Sequence, residues 1–415
     1  MANAGAAASR APTTFTGGMV GLLALAIFLN YLDRGNLATA APLIRDELRL
    51  SNTEIGLLVS AFFWVYAPGQ LLAAWLVQKI NAYRTLALGV ALWSAATLLT
   101  GLSSGFLVLL GLRVMLGLGE SAGFPASSKL LAQHLPPERL GFANGLIAVG
   151  QMLGPAVGTL LGGLLVVQAG WRVLFVVFGA GSLLWLVPWL ASTRTLSRQT
   201  ATHLSLVEPG FAELLSRRRL WGACVGHFAT NYPFYLVISW LPIYLVKRQG
   251  FSMAAMAELG GATYALAGLT ALLTGRLADR AIARGAAVSR VRLGLMVSAN
   301  SLTALCMLVC AVGTPWMAIG ALVMSQVANG LGASNLFTIG QTLGGPRGAG
   351  KWIGVQNAIG NIAGIVGPII TGVIIDRTGQ FSLAFVAAAG VAGVGVLSWL
   401  FVVRHVTPET WAEAA

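Results

Sequence analysis

Residues 192–220 read STRTLSRQTATHLSLVEPGFAELLSRRRL, and the parsing of the whole chain turns on them. They form the longest polar interruption in an otherwise apolar sequence and carry Arg194, Arg198, Glu208, Glu213 and the run Arg217-Arg218-Arg219. Six apolar runs precede them, near 19–40, 54–78, 85–104, 106–131, 142–167 and 171–192. Six more follow, near 221–246, 254–278, 293–312, 315–341, 352–375 and 381–403. About 20 mostly apolar residues in a helix cross a bilayer core, so each run is a candidate span. The expected fold is an all-α integral membrane protein with twelve transmembrane helices in two pseudo-symmetric six-helix bundles. Its parts are a tail over 1–18, a first bundle over 19–192, a central loop over 193–220, a second bundle over 221–404 and a tail over 405–415.

Composition excludes the main alternatives. Of 415 residues 56% are hydrophobic and only 9% charged, against about 25% charged in soluble domains. Three cysteines, Cys224, Cys306 and Cys310, all lie in apolar runs and supply neither a disulfide framework nor structural zinc. The first run is too long for a cleavable leader and holds Asp33-Arg34 in its middle. Glycines between Gly150 and Gly163 lack a following Lys-Ser/Thr, so they read as helix-packing positions and not as a phosphate cradle. No cofactor or metal is expected, and no enzyme activity, because no nucleophile–base or ligand cluster is evident.

A net charge of +13 raises the question of nucleic acid, and its distribution answers it. If both termini are cytoplasmic, eighteen of the 26 Lys+Arg fall in inner segments, among them Lys79, Arg84, Arg280 and Arg284. Six fall in outer loops (Arg45, Arg49, Arg172, Lys247, Arg248 and Arg377), and Arg34 and Arg113 lie within spans. That is the positive-inside bias of a membrane protein, and it predicts a bacterial-type inner membrane location and no nucleic-acid partner. The halves also repeat. Gly275-Arg276-Leu277-Ala278-Asp279-Arg280 after the eighth run matches Ala74-Trp75-Leu76-Val77-Gln78-Lys79 after the second, and Gly367-Pro368 echoes Gly154-Pro155. Two repeated six-helix halves are the plan of a secondary transporter that rocks around a midplane site.

These residues resemble the major facilitator superfamily over nearly the whole chain. The resemblance implies that Gly275, Asp279 and Arg280 form a gating motif, whose first-half copy is eroded to Ala74 and Gln78. A narrower set is similar to the anion:cation symporter family: Asn30-Tyr31-Leu32-Asp33-Arg34-Gly35-Asn36, then Arg113 to Pro125 with Gly117, Gly119 and Glu120, then Ser239-Trp240-Leu241-Pro242-Ile243-Tyr244-Leu245. This resemblance implies proton-coupled movement of small organic anions.

The ions inside the spans carry the chemistry. A charged side chain at mid-bilayer costs about 2.5–3.5 kcal/mol on insertion scales, which makes Asp33, Arg34, Arg113 and Glu120 candidates for function. The alternative is two structural ion pairs between the first and fourth spans. Arg34 shares a helical face with Tyr31 and Asn30 at spacings of three and four, whereas Asp33 is turned away by about 100°. A guanidinium stays charged and grips carboxylates, so Arg34, beside Tyr31, is the expected substrate anchor. Asp33 and Glu120 are the expected proton carriers. Arg113, seven positions before Glu120 on one stripe, is expected to neutralise and position it.

The family pattern adds Tyr66, Gln151 and Asn357 as substrate contacts, and Phe337 where sugar-acid carriers have a larger aromatic. Asn231 and Tyr235 flank Pro233 in the seventh span, where a broken helix exposes backbone to a cavity. His227 reads as a packing residue. The expected function is import of a sugar acid (aldonate, aldarate or hexuronate) with protons, the partners being the anion, protons and the lipid bilayer, and the chain acting as a monomer. Alternatives are transport of aromatic or dicarboxylic acids, amphiphile efflux by proton antiport, and a non-transporting anion receptor.

Overall fold

The computed structural model describes residues 13–50, 52–202, 209–243 and 253–411. Arg10, His203, Glu208, Tyr244, Leu245, Lys247 and Arg248 lie outside them, and the side chains of 238–243 are likewise not described. Among the described residues nine helical stretches are long and apolar enough to cross a membrane. One of these, Trp316–Ile375, is a double span within the helix Pro315–Thr378 that reverses at Gly345 (φ 60°, ψ −176°). The helices Arg218–Ile243 and Met253–Ala283 bring the number of spans to twelve. The chain is therefore a multi-pass membrane protein, and its spans follow the twelve apolar runs.

Local chemistry explains where the helices break. Gly345 and Gly170 (φ 82°) adopt backbone that side chains with a Cβ avoid, so each reverses the chain within what reads as continuous helix. Asn81 (φ 80°) turns the chain between Asn52–Ile80 and Ala82–Thr100, and its side chain accepts from Arg84 N at 2.9 Å. The fourth span consists of Phe106–Glu120 and Gly123–His134, interrupted at Ser121–Ala122. Pro125 accounts for this, since its ring displaces the carbonyl four residues back, that of Ser121. The sixth span runs on through Leu186–Thr202, so the first part of the expected central loop is helix. Ser, Thr, Arg and Gln do not stop a helix, whereas Pro209-Gly210 forces a new start at Phe211–Leu215.

The two halves meet where side chains are small. Gly275 of the eighth span lies against the backbone of Gly141 in the fifth, and Gly145 against that of Ala271. Gly354 and Gly350 of the eleventh span face Ala74 and Val77 of the second. Close backbone approach of this kind provides van der Waals attraction that lipid cannot match. It also explains the eroded motif copy, because the glycine missing at Ala74 is supplied from the other side by Gly354. Both crossings lie at the end of the molecule that carries Gly17 and Glu409, here the terminal face.

Candidate functional site

A cavity lies between the halves, lined by Tyr31, Gln151 and Met152 on one side. The other wall is built from His227, Asn231, Tyr235, Asn329, Phe337, Asn357 and Asn361 with their neighbours. Six of the expected substrate contacts (Tyr31, Gln151, Asn231, Tyr235, Phe337 and Asn357) thus share one space. His227, Asn329 and Asn361 were not expected there. Uncharged amides in apolar spans were the available signal for the two asparagines, whereas nothing in the chain marks His227 as facing a cavity.

Arg34 and Tyr66 stand behind Tyr31. The guanidinium carbon of Arg34 lies 4.3 Å from the centroid of the Tyr31 ring, 4.6 Å from that of Tyr66 and 4.7 Å from that of Phe62. Phe62 and Tyr66 are stacked at 4.9 Å. Cation–π attraction to three rings holds the guanidinium in place with little help from water. Phe62 was missed in the sequence, although its spacing of four from Tyr66 puts both on one face of the second span. Gln151 Nε2 donates to the Tyr31 hydroxyl at 3.0 Å, tying the fifth span to the first.

The charged partners differ from expectation at one position. Arg34 donates from Nε and Nη2 to Glu120 Oε2, at 3.0 and 2.9 Å, and from Nη2 to Asn30 Oδ1 at 3.1 Å. The expected Arg113–Glu120 pair is not formed among the described residues. Instead Arg113 Nε donates to the Leu58 carbonyl at 3.3 Å, and its guanidinium lies 5.7 Å from the Phe62 ring. Seven helical positions separate two residues by about 10.5 Å along the axis, so a shared stripe does not bring these two heads together. Asp33 is turned away from Arg34 as expected: Ser182 Oγ donates to its Oδ2 at 2.8 Å, and Asn36 Nδ2 lies 3.4 Å from its Oδ1.

Toward the terminal face the cavity is closed in layers. Phe124 and Phe337 stack across the halves at 4.6 Å with ring planes 9° apart, and His227 meets the edge of Phe337 at 5.6 Å. Below them Asn144 and Gln341 exchange amide hydrogen bonds of 2.7 and 3.1 Å, with Thr338 and Ser128 attached. Nearest the face, Asp279 accepts from Gly141 N at 3.1 Å and Phe142 N at 2.6 Å and pairs with Arg292, while Lys129 Nζ donates to Arg347 O at 2.9 Å. Gly275 and Asp279 therefore both lie at the seam between halves, whereas Arg280 is exposed. Residues 404–411 fold back over this region. Glu409 N donates to Leu343 O at 2.9 Å and Trp411 Nε1 to Gly344 O at 3.0 Å, and the Glu409 carboxylate faces Arg219 at 3.4 Å.

A closed cavity with a caged guanidinium at its edge thus lies at the seam between the membrane-spanning halves. The family model of the Major Facilitator Superfamily matches residues 23–368, and the chain belongs to that superfamily. It is 31% identical to the probable sulfoacetate transporter of Cupriavidus necator, over 96% of both proteins. It is 29% identical to the hexuronate transporter of Bacillus subtilis, over 93% of both. Relatives of this kind agree with the anion:cation symporter resemblance. Among solved structures, the proton:xylose symporter XylE bound to 6-bromo-6-deoxy-D-glucose superimposes with a TM-score of 0.74 at 13% identity, covering 94% of this chain and 97% of that one. The outward conformation of FucP does so with 0.69 at 16%, covering 92% and 98%.

Proposed function

We propose that the protein imports a small organic anion, a sugar acid of the aldonate, aldarate or hexuronate class, in symport with protons by alternating access. The observation that carries this reading is the Arg34–Glu120 pair inside its aromatic cage, next to a cavity walled by amides. Among the described residues there, Arg34 is the one suited to a substrate carboxylate, and Glu120 competes for it. Protonation of Glu120 removes the competing charge and frees the guanidinium, so arrival of a proton and of an anion favour each other. Tyr31 lies between the cavity and Arg34 and has to swing aside for the carboxylate to reach it. Asp33, held by Ser182, is the second proton-carrying group.

The division into a first bundle over 19–192 and a second over 221–404 gives the two bodies that rock, and the single chain holds a complete pathway as a monomer. The excess of Lys and Arg near the terminal face supports cytoplasmic termini in an inner membrane. With that orientation the cavity is closed toward the cytoplasm by Phe124–Phe337, Asn144–Gln341 and Asp279–Gly141. A substrate carrying one negative charge and moving with two protons carries net positive charge inward, so the membrane potential assists its uptake, whereas a dianion with two protons moves without net charge. The sulfoacetate and hexuronate carriers among the relatives support an anionic substrate.

The test is thermal stabilisation of the purified protein by aldonates, uronates, aldarates, aromatic acids and neutral sugars at pH 5.5 and 7.5, since a ligand of the native state raises its stability by mass action. A sugar-acid response lost in Arg34→Ala is the expected result. A response confined to neutral or cationic amphiphiles overturns the reading in favour of export.

A further inference from the structure

The wall of the cavity contributed by the second half is polarised by one chain of hydrogen bonds. Tyr235 Oη donates to Asn361 Oδ1 at 2.7 Å, and Asn361 Nδ2 donates to Asn357 Oδ1 at 2.9 Å and to the Asn357 carbonyl at 2.8 Å. A phenol has one proton to give. Giving it to Asn361 Oδ1 turns that amide nitrogen toward Asn357, and the Asn357 oxygen is then taken. What remains is Asn357 Nδ2, on a residue only 2% exposed, lining the cavity and without a hydrogen-bond partner. Asn329 Nδ2, on the same wall, is also buried and unpartnered. A buried donor left unpaired is destabilising, so this wall holds an unmet demand for acceptors.

We propose that Asn357 and Asn329 form a subsite for a hydrogen-bond acceptor, with Tyr235 and Asn361 as positioning residues that keep the Asn357 amide facing the cavity donor-first. The ligand class this fits is a two-headed organic anion. One carboxylate goes to Arg34, and the far head carries acceptor oxygens only, as a second carboxylate or a sulfonate does. A terminal hydroxyl suits the subsite less well, because it brings a proton that these donors do not accept. Asn231, whose Nδ2 donates to Gly360 O at 3.1 Å, keeps its oxygen available for hydroxyls along the middle of such a molecule. The subsite rests on the reading of Arg34 as the carboxylate anchor.

The experiment compares D-glucarate with D-gluconate, which share a carbon chain and differ only in a carboxylate against a hydroxymethyl end. Affinities are measured by calorimetry on the purified full-length protein. Wild type binds glucarate at least about tenfold tighter, the scale of a hydrogen bond to a charged group. Tyr235→Phe removes only the relay proton and leaves the ring packed on Gly364, and Asn361→Ala removes the middle of the relay. Tyr235→Phe lowers the preference for glucarate over gluconate about tenfold, and Asn361→Ala does the same. Equal affinity for the two acids in wild type, or equal weakening of both in Tyr235→Phe, overturns the subsite. Arg34→Ala separates the two readings. Retained binding there sinks the anchor itself, whereas lost binding without discrimination by Tyr235→Phe sinks only the second subsite.

Discussion

Arg34 reaches Glu120 with two nitrogens, and both land on the same oxygen, Oε2, at 3.0 and 2.9 Å. The other carboxylate oxygen, Oε1, is buried without a partner. A parallel two-oxygen pair is the strongest form of this contact, so the arrangement leaves half of the carboxylate open to a proton. It is a pair that can be exchanged for a substrate, unlike one closed on all sides.

From this follows the effect of breaking it. Arg34→Ala is expected to weaken anion binding at least about thirtyfold, equivalent to about 2 kcal/mol for one partner of a buried charge pair. Arg34→Lys is expected to recover little, since a lysine lacks the planar fork and the stacking on Tyr31, Phe62 and Tyr66. Glu120→Gln mimics the protonated acid and should retain anion exchange between liposome compartments while losing proton-driven accumulation. Counterflow and pH-gradient uptake on the same vesicles measure the two separately.

Tyr31 links cavity and anchor through its hydroxyl, which accepts from Gln151 at 3.0 Å. Tyr31→Phe keeps the ring over Arg34 and removes that bond. A net hydrogen bond contributes about 0.5–1.5 kcal/mol, so substrate affinity should fall about two- to tenfold. A loss as large as that of Arg34→Ala would instead make the hydroxyl a direct ligand.

The closed terminal side rests on the reciprocal Asn144–Gln341 amides and the approach of Gly275 to Gly141. Asn144→Ala and Gln341→Ala remove the same contact, so their effects should not add; a cycle should return a coupling of about 0.5–1.7 kcal/mol, the range for hydrogen bonds between membrane helices. Gly275→Leu has no room in the closed form and should open it most. The readout is labelling from the terminal face of a cysteine introduced at Ala333, which lines the cavity. Unchanged labelling in all three variants would count against this gate.

The folded-back tail should matter through Trp411 more than through Glu409. The Glu409–Arg219 pair is half-buried at the surface, where ion pairs are worth about 0–1 kcal/mol. Trp411 covers Gly348, bonds Gly344 O and lies 5.2 Å from the Arg217 guanidinium. Trp411→Ala is expected to raise the same labelling rate several-fold, and Glu409→Ala less than about twofold.

Away from the membrane core, Trp171 Nε1 donates to Glu47 at 2.6 Å and Arg172 pairs with it, which holds the Glu47 carboxyl below its ordinary value. A depressed carboxylate stabilises the fold above its unfolded value, and that contribution disappears as pH falls through the lower folded one. Wild-type melting temperature should therefore fall on acidification below about pH 5, with Glu47→Gln less stable at neutral pH and less sensitive on the acid limb. Parallel acid limbs for the two proteins would contradict this.

Much of the architecture was legible in the chain. Burying about twenty apolar residues at a time without water leaves helices as the sole economical form for such runs, and residues 192–220 stood out as the longest polar interruption between six runs and six. The cost of intramembrane charge likewise singled out Asp33, Arg34, Arg113 and Glu120, and helical spacing alone set Arg34 with Tyr31 and apart from Asp33. Spacing within one helix says nothing about how another is rotated against it. That is why the partner of Glu120 proved to be Arg34 and not Arg113, why Phe62 joined the cage, and why His227, Asn329 and Asn361 came to line the cavity. Helix faces are a property of local periodicity and the sequence determines them. Which faces meet is settled by packing of all twelve helices at once, and only the tertiary structure decides it.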